Sequence, residues 1–213
     1  VMGGIGMLAE QGGHSRGGRA VDTDDGYVLT LRQRIFDHYI TALSVVETAV
    51  ANRQALLEYF SEARKPSNQK GSTQAYLIAN NDKDYTYDVI DLLLNHGVEV
   101  YQTNQDQRIS GVYDYWDANE SIKNVSAGTF VIPTEQPAHI FVHTLFRRQL
   151  EIRDSVMYDM STWNVPMAYN LEAYWTTKKL SGLEKVEQTP TPVISSFQKA
   201  SYAYVMDWNQ RYA

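Results

Sequence analysis

Apolar residues recur at helical spacing through the first third of the chain. Leu31, Ile35, Tyr39, Leu43, Val46, Val50 and Leu57 fall on one stripe, with no Gly or Pro before Pro66. That spacing predicts one long helix over 30–64, with Asn52-Arg53 marking a kink. Ahead of it, 3–10 reads as a short apolar strand ending at Glu10, and 11–26, rich in Gly, Ser, Arg and Asp, reads as a loop. Residues 65–73, Lys-Pro-Ser-Asn-Gln-Lys-Gly-Ser-Thr, have linker chemistry and set the main boundary.

Beyond the linker the period shortens. An apolar run at 75–79 predicts a buried strand. Residues 84–95 predict an amphipathic helix with Val89, Leu92 and Leu93 on one face and His96-Gly97 as its C-cap. A second strand is expected at 98–102. A connection of that length favours a right-handed parallel crossover. One edge strand is expected within 103–127, and another apolar strand at 129–133. A helix is expected over 137–150 with Ile140, Phe141, Leu145 and Leu150 inward. Residues 155–176 read as loop-rich, 177–196 as the start of a connector, and 202–207 as a strand followed by the first turn of a helix. The expected fold class is α/β: a long N-terminal helix, then a small three-layer sheet domain with parallel strands. The expected units are 1–64, a linker at 65–73, and 74–213, truncated at its C-terminal end.

Composition narrows the function classes. The 213 residues carry a net charge of −6, which disfavours nucleic acid, and no basic cluster suggests a membrane surface. There is no cysteine, so this chain has no disulfide, cysteine–zinc site or cysteine nucleophile. No apolar run is long enough for a transmembrane helix, and no signal peptide opens the sequence. The start inside an apolar glycine-rich stretch, and the close just after a strand pattern, read as a piece cut from a longer protein.

The first candidate for chemistry is Glu10, in Met7-Leu-Ala-Glu-Gln-Gly-Gly-His-Ser-Arg-Gly-Gly18. A carboxylate at the C-terminal end of a buried strand, opening onto a Gly-rich loop, is placed to act as a general base. The alternative is a strand-end glutamate exposed to water. His14 and Arg16 either line a cleft near Glu10 or decorate a solvated loop.

The run Ile5-Gly-Met-Leu-Ala-Glu10, its glycine-rich loop and the long helix resemble the end of an M14 zinc carboxypeptidase domain, over roughly residues 1–64. The runs at 128–137 and 154–166 resemble segments that follow the peptidase domain in large secreted bacterial proteins of that kind. The resemblance implies that Glu10 activates a zinc-bound water in a parent that cleaves peptide or protein substrates, in a secreted or periplasmic location. It also implies that the zinc ligands, an His-x-x-Glu pair and a later His, lie upstream, so the fragment is inactive alone. His96-Gly-Val-Glu99 fits that pair but follows Glu10, at a helix end entering a strand, and reads as coincidence.

Residues 72–176 resemble the class I glutamine amidotransferase-like (flavodoxin-like) fold in strand–helix–strand order and in Val131-Ile-Pro-Thr-Glu-Gln-Pro137. True members attack with a cysteine, which is missing here. His139 and His143 have metal-ligand spacing, yet no third ligand accompanies them, and a partly buried pair facing a neighbouring element is the expectation. Tyr158, Trp163, Tyr169, Tyr174 and Trp175 form either a glycan or peptide platform or core. Asn119 and Asn124 open glycosylation sequons.

The expected function is thus an inactive fragment of a zinc metallocarboxypeptidase. The alternatives are a non-catalytic binding or scaffold module for glycan or peptide, or part of a pseudoenzyme. The apolar stripe of the long helix predicts a homodimer, or docking onto the α/β module.

Overall fold

A computed structural model of the chain describes residues 4–10, 19–81, 84–148, 164–190 and 199–205. It divides into two compact units, Gly3–Ala63 and the chain from Arg64 onward.

In the first unit, strands β1 (Ala20–Asp22) and β2 (Val28–Thr30) form an antiparallel hairpin. Helix α1 (Leu31–Ala51) follows at once. The Thr30 hydroxyl caps it by accepting from the Gln33 N–H at 3.2 Å. Asn52 ends it: its side chain and its own N–H both donate to the Thr48 carbonyl, at 2.9 and 3.0 Å. Helix α2 (Arg53–Ala63) then resumes. The expected long helix is therefore two segments broken at Asn52. Neither buries a residue; Ile35, Val46, Val50 and Leu57 are each at least 60% exposed. The strand expected at 3–10 does not form, since 4–10 are irregular and exposed.

The second unit opens with a 3₁₀ turn, Pro66–Asn68. It then runs β3 (Ala75–Ile78), α3 (Asp84–Asn95), β4 (Tyr101–Thr103), β5 (Gln107–Asp114), β6 (Glu120–Val125), β7 (Phe130–Pro133), α4 (His139–Phe146), α5 (Val165–Ala168), β8 (Ala173–Thr176) and β9 (Leu183–Lys185). Seven of these strands make one sheet in the order β6-β5-β8-β3-β7-β4-β9.

The parallel sheet expected from the sequence is corrected here: every hydrogen-bonded pair is antiparallel. Strands β3 and β4 do run the same way, but β7 lies between them and pairs with both. That is a split β-α-β unit. With α4 and β8 it repeats, giving β-α-β-β-α-β with core order β8-β3-β7-β4, the ferredoxin-like arrangement. The β5–β6 hairpin is an insertion between β4 and β7, and β9 adds to the outer edge of β4.

The three-layer expectation is corrected as well, because both long helices share one face. Tyr76 and Ile78 of β3 pack with Val89, Ile90 and Leu93 of α3 and with Val142 and Phe146 of α4. Ala75 and Leu77 point the other way, onto Val125, Val131 and the partly buried Ile109. Among the described residues, a hairpin rather than a helix layer covers that second face.

Helix registers differ slightly from the expected ones. In α3 the third inward residue is Ile90, while Leu92 is exposed. In α4 the buried residues are His139, Val142 and Phe146; Ile140, Phe141 and Leu145 are half-buried and Leu150 lies outside the described residues. The C-cap of α3 is as read: Gly97 has φ +70°, its N–H donates to Leu94, and the Val98 N–H donates to Leu93. Both bonds of a Schellman motif are made, with Val98 and Leu93 buried beside it.

Between α3 and β4 the chain is pinned by one side chain. Gln136 is buried, donates to the carbonyls of Pro133 (2.6 Å) and Glu99 (3.2 Å), and accepts from the Glu99 N–H (2.8 Å). The segment expected to hold one edge strand, 103–127, holds two, and β8 and β9 arise from stretches expected to be loop. Residues 202–205 are not a strand.

Candidate functional site

A polar cleft lies on the face that the β5–β6 hairpin covers, and a bulge in β5 shapes it. The β5–β6 register shifts between Ile109 and Val112, and Gly111 sits there with φ +69°. Beyond the bulge, Val112–Asp114 pair with β8. Before it, Ile109 and Val125 leave β8 and pack over Leu77 and Val131. The hairpin thus arches across the sheet, and its inner edge leaves a cavity of about 240 Å³.

Three segments line the cavity: Ala79, Asn80 and Asn81 after β3; Glu172 and Tyr174 at the start of β8; and Lys123 to Ala127 at the end of β6. The last segment is held firmly. The hydroxyls of Thr103 and Thr129 both donate to the Ser126 carbonyl at 2.8 Å, and the Ala127 N–H donates to Asp106 at 2.8 Å. Gly128 at φ +83° then turns the chain into β7.

The charges in the cleft are satisfied internally. The Lys123 ammonium sits 3.5 Å from the centroid of the Tyr174 ring and 3.8 Å from the Glu172 carboxylate. The Tyr174 hydroxyl donates to Glu172 at 3.0 Å. Burial, with the neighbouring Glu172 carboxylate, pushes the phenol up to about 12, so it stays protonated at neutral pH. The rest of the polar lining is amide and hydroxyl. Asn80 accepts from Tyr87 (3.2 Å) through Oδ1, and Asn81 from Thr86 (3.4 Å). Asn124 and Ser126 are exposed.

Of the residues singled out in the sequence, Asn124 and Tyr174 line this cleft. Glu10 lies in the irregular, exposed segment 4–10 of the other unit. His14 and Arg16 lie outside the described residues. The His96 and Glu99 side chains have separate partners: His96 Nδ1 donates to the Leu92 carbonyl at 2.8 Å and its ring stacks on Phe141, while Glu99 accepts from Tyr101. His143 bonds the Tyr76 hydroxyl through Nδ1, and His139 is buried with no partner at Nε2 among the described residues. His143 thus ties α4 to β3, the neighbouring element the spacing suggested.

Of the five aromatics read as either a platform or core, the three described ones do not pair with one another. Trp175 stacks on Tyr113 on the helix side, Tyr174 faces the cleft, and Tyr169 meets Tyr85 edge-on. Tyr158 and Trp163 lie outside the described residues. No grouping of His, Cys, Asp or Glu among the described residues fits a metal ion.

Sequence reasoning missed Lys123, Glu172, Asn80, Asn81 and Ser126. The Asn80-Asn81 pair, just past the C-terminal end of a buried strand, was the available signal. Lys123 and Glu172 come from segments read as mostly loop, and nothing local pairs them. Comparison with known families, with curated proteins and with solved structures finds no match. No helix among the described residues is long and apolar enough to cross a membrane.

Proposed function

We propose that the chain from Arg64 onward is a non-catalytic recognition module that takes a neutral, hydrogen-bonding ligand, a peptide or glycan segment, in the cleft between β6 and β8. One observation carries this reading. The cleft is rich in amides and hydroxyls, while its only ammonium and carboxylate neutralise each other across 3.8 Å. A lining of that kind rewards hydrogen-bond complementarity rather than net charge. Its phenol, held near 12, is poorly placed to take a proton at neutral pH.

Residues 1–64 are proposed, on the resemblance alone, to close a zinc carboxypeptidase-like domain of a secreted or periplasmic parent, with Glu10 as its general base. Among the described residues no grouping of His, Cys, Asp or Glu could hold a metal ion, so the zinc of this reading belongs to the parent and rests on the resemblance.

Chemical-shift mapping with short peptides and oligosaccharides tests the module. Shifts centred on Asn80, Lys123, Asn124 and Ser126 are expected; shifts elsewhere, or none, would reject it. The peptidase part is tested separately by Glu10→Gln in the longer parent, where an unchanged hydrolytic rate would discard it.

A further inference from the structure

The two edges of the sheet are built differently. Strand β9 is three residues long, and its Lys185 pairs with Glu187 at 3.7 Å. Strand β6 runs for six residues and pairs only with β5. Among the described residues, no backbone partner meets its other side. Long free edges invite pairing with another chain, and lysine commonly guards them. Here Lys123 is turned away onto the Tyr174 ring and does not guard the edge.

The cleft lies on that same free side. Lys123, Asn124 and Val125 of β6 line it, and no residue of β5 does. Ile122 of β6, on the opposite face from Lys123, is 62% exposed and open to a side chain from an added strand. A row of free N–H and C=O groups is complementary to an extended backbone, which offers the same groups at the same spacing; a glycan does not.

We propose that β6 accepts an extended peptide by strand addition, with one of the peptide's side chains entering the cleft beside Asn80, Asn124 and Ser126. This rests on the recognition reading above and names its ligand class. A cavity of about 240 Å³ holds a single large side chain, so the backbone supplies affinity and the cleft supplies selectivity. The compensated Lys123–Glu172 pair favours an uncharged side chain there.

The test is amide hydrogen exchange on the whole chain. The probe is an octapeptide mixture with threonine at alternate positions and randomised residues between. A matched mixture, N-methylated at alternate residues, cannot complete a strand ladder. Exchange at 120–125 is expected to slow at least tenfold with the first mixture and to stay unchanged with the second. Equal slowing with both, or none with either, overturns strand addition. If maltotriose shifts Asn80 and Asn124 without slowing exchange at β6, the peptide proposal falls and the recognition module stands. No response to any probe overturns both.

Discussion

The Tyr76 hydroxyl and Nδ1 of His143 lie 3.0 Å apart and join the central strand β3 to helix α4. Burial, then His139 and Arg147, lower the His143 pKa below its ordinary 6.5, so the folded chain resists a proton that the unfolded chain accepts. The stabilising effect of the neutral ring is intact above 6.5 and is lost as pH falls from there through the lower folded value. Urea midpoints at a series of pH values should therefore fall more steeply below 6.5 for the natural chain than for His143→Gln. Parallel slopes would remove His143 from this role.

Gln136 satisfies three backbone groups with one amide. Gln136→Met keeps the volume but strands the Glu99 N–H and two carbonyls. The expected loss is about 2–3 kcal/mol, because buried unpaired groups cost far more than the net value of their bonds. Equilibrium denaturation measures it, and a loss below about 0.5 kcal/mol would mean that water replaces the amide.

Ala118, in the β5–β6 turn, adopts φ 58°, a region that disfavours any side chain. Ala118→Gly should stabilise the fold by about 0.5–1 kcal/mol, the relief of a left-handed alanine less the added freedom of the unfolded chain. Thermal melting reads this directly, and a lowered midpoint contradicts it.

Gly111 is needed for the opposite reason. At φ +69° an added Cβ would lie 2.7 Å from the Thr177 hydroxyl. Gly111→Ala should cost about 2 kcal/mol and loosen the arch over the cleft. Combining it with Thr177→Ala should recover only the contact, not the backbone strain. Full recovery would show that the left-handed geometry is not required.

Glu172 sets the upper part of the Tyr174 shift, after burial. In Glu172→Gln the phenol should titrate below its present value of about 12, though still above an exposed tyrosine. Ultraviolet titration of the two proteins decides it; an unmoved curve would separate Glu172 from the cleft's electrostatics.

Local signals in the sequence were reliable where one element dictated its own form. The α3 segment and its Gly97 cap, the buried run of β3 and the break at Asn52 were all legible. Pairing was not. The length of the α3 connection suggested that β3 and β4 pair in parallel. The two strands do run the same way, but β7, supplied from downstream, lies between them and pairs antiparallel with both. Strand β8 was hidden because Ala173–Thr176 is four residues inside an aromatic-rich segment. The cleft was illegible for the same reason. Lys123 and Glu172 meet only because a bulge at Gly111 redirects the hairpin, and neither residue's local context encodes that bend.

The position of β3 also governs the order in which the unit can assemble. Its two partners are Phe130–Pro133 and Ala173–Thr176, both far downstream. A nascent chain that has emerged only as far as β4 therefore holds an apolar strand with neither neighbour yet synthesised. Closure waits on distant segments, a topology that slows folding and prolongs dependence on chaperones during translation.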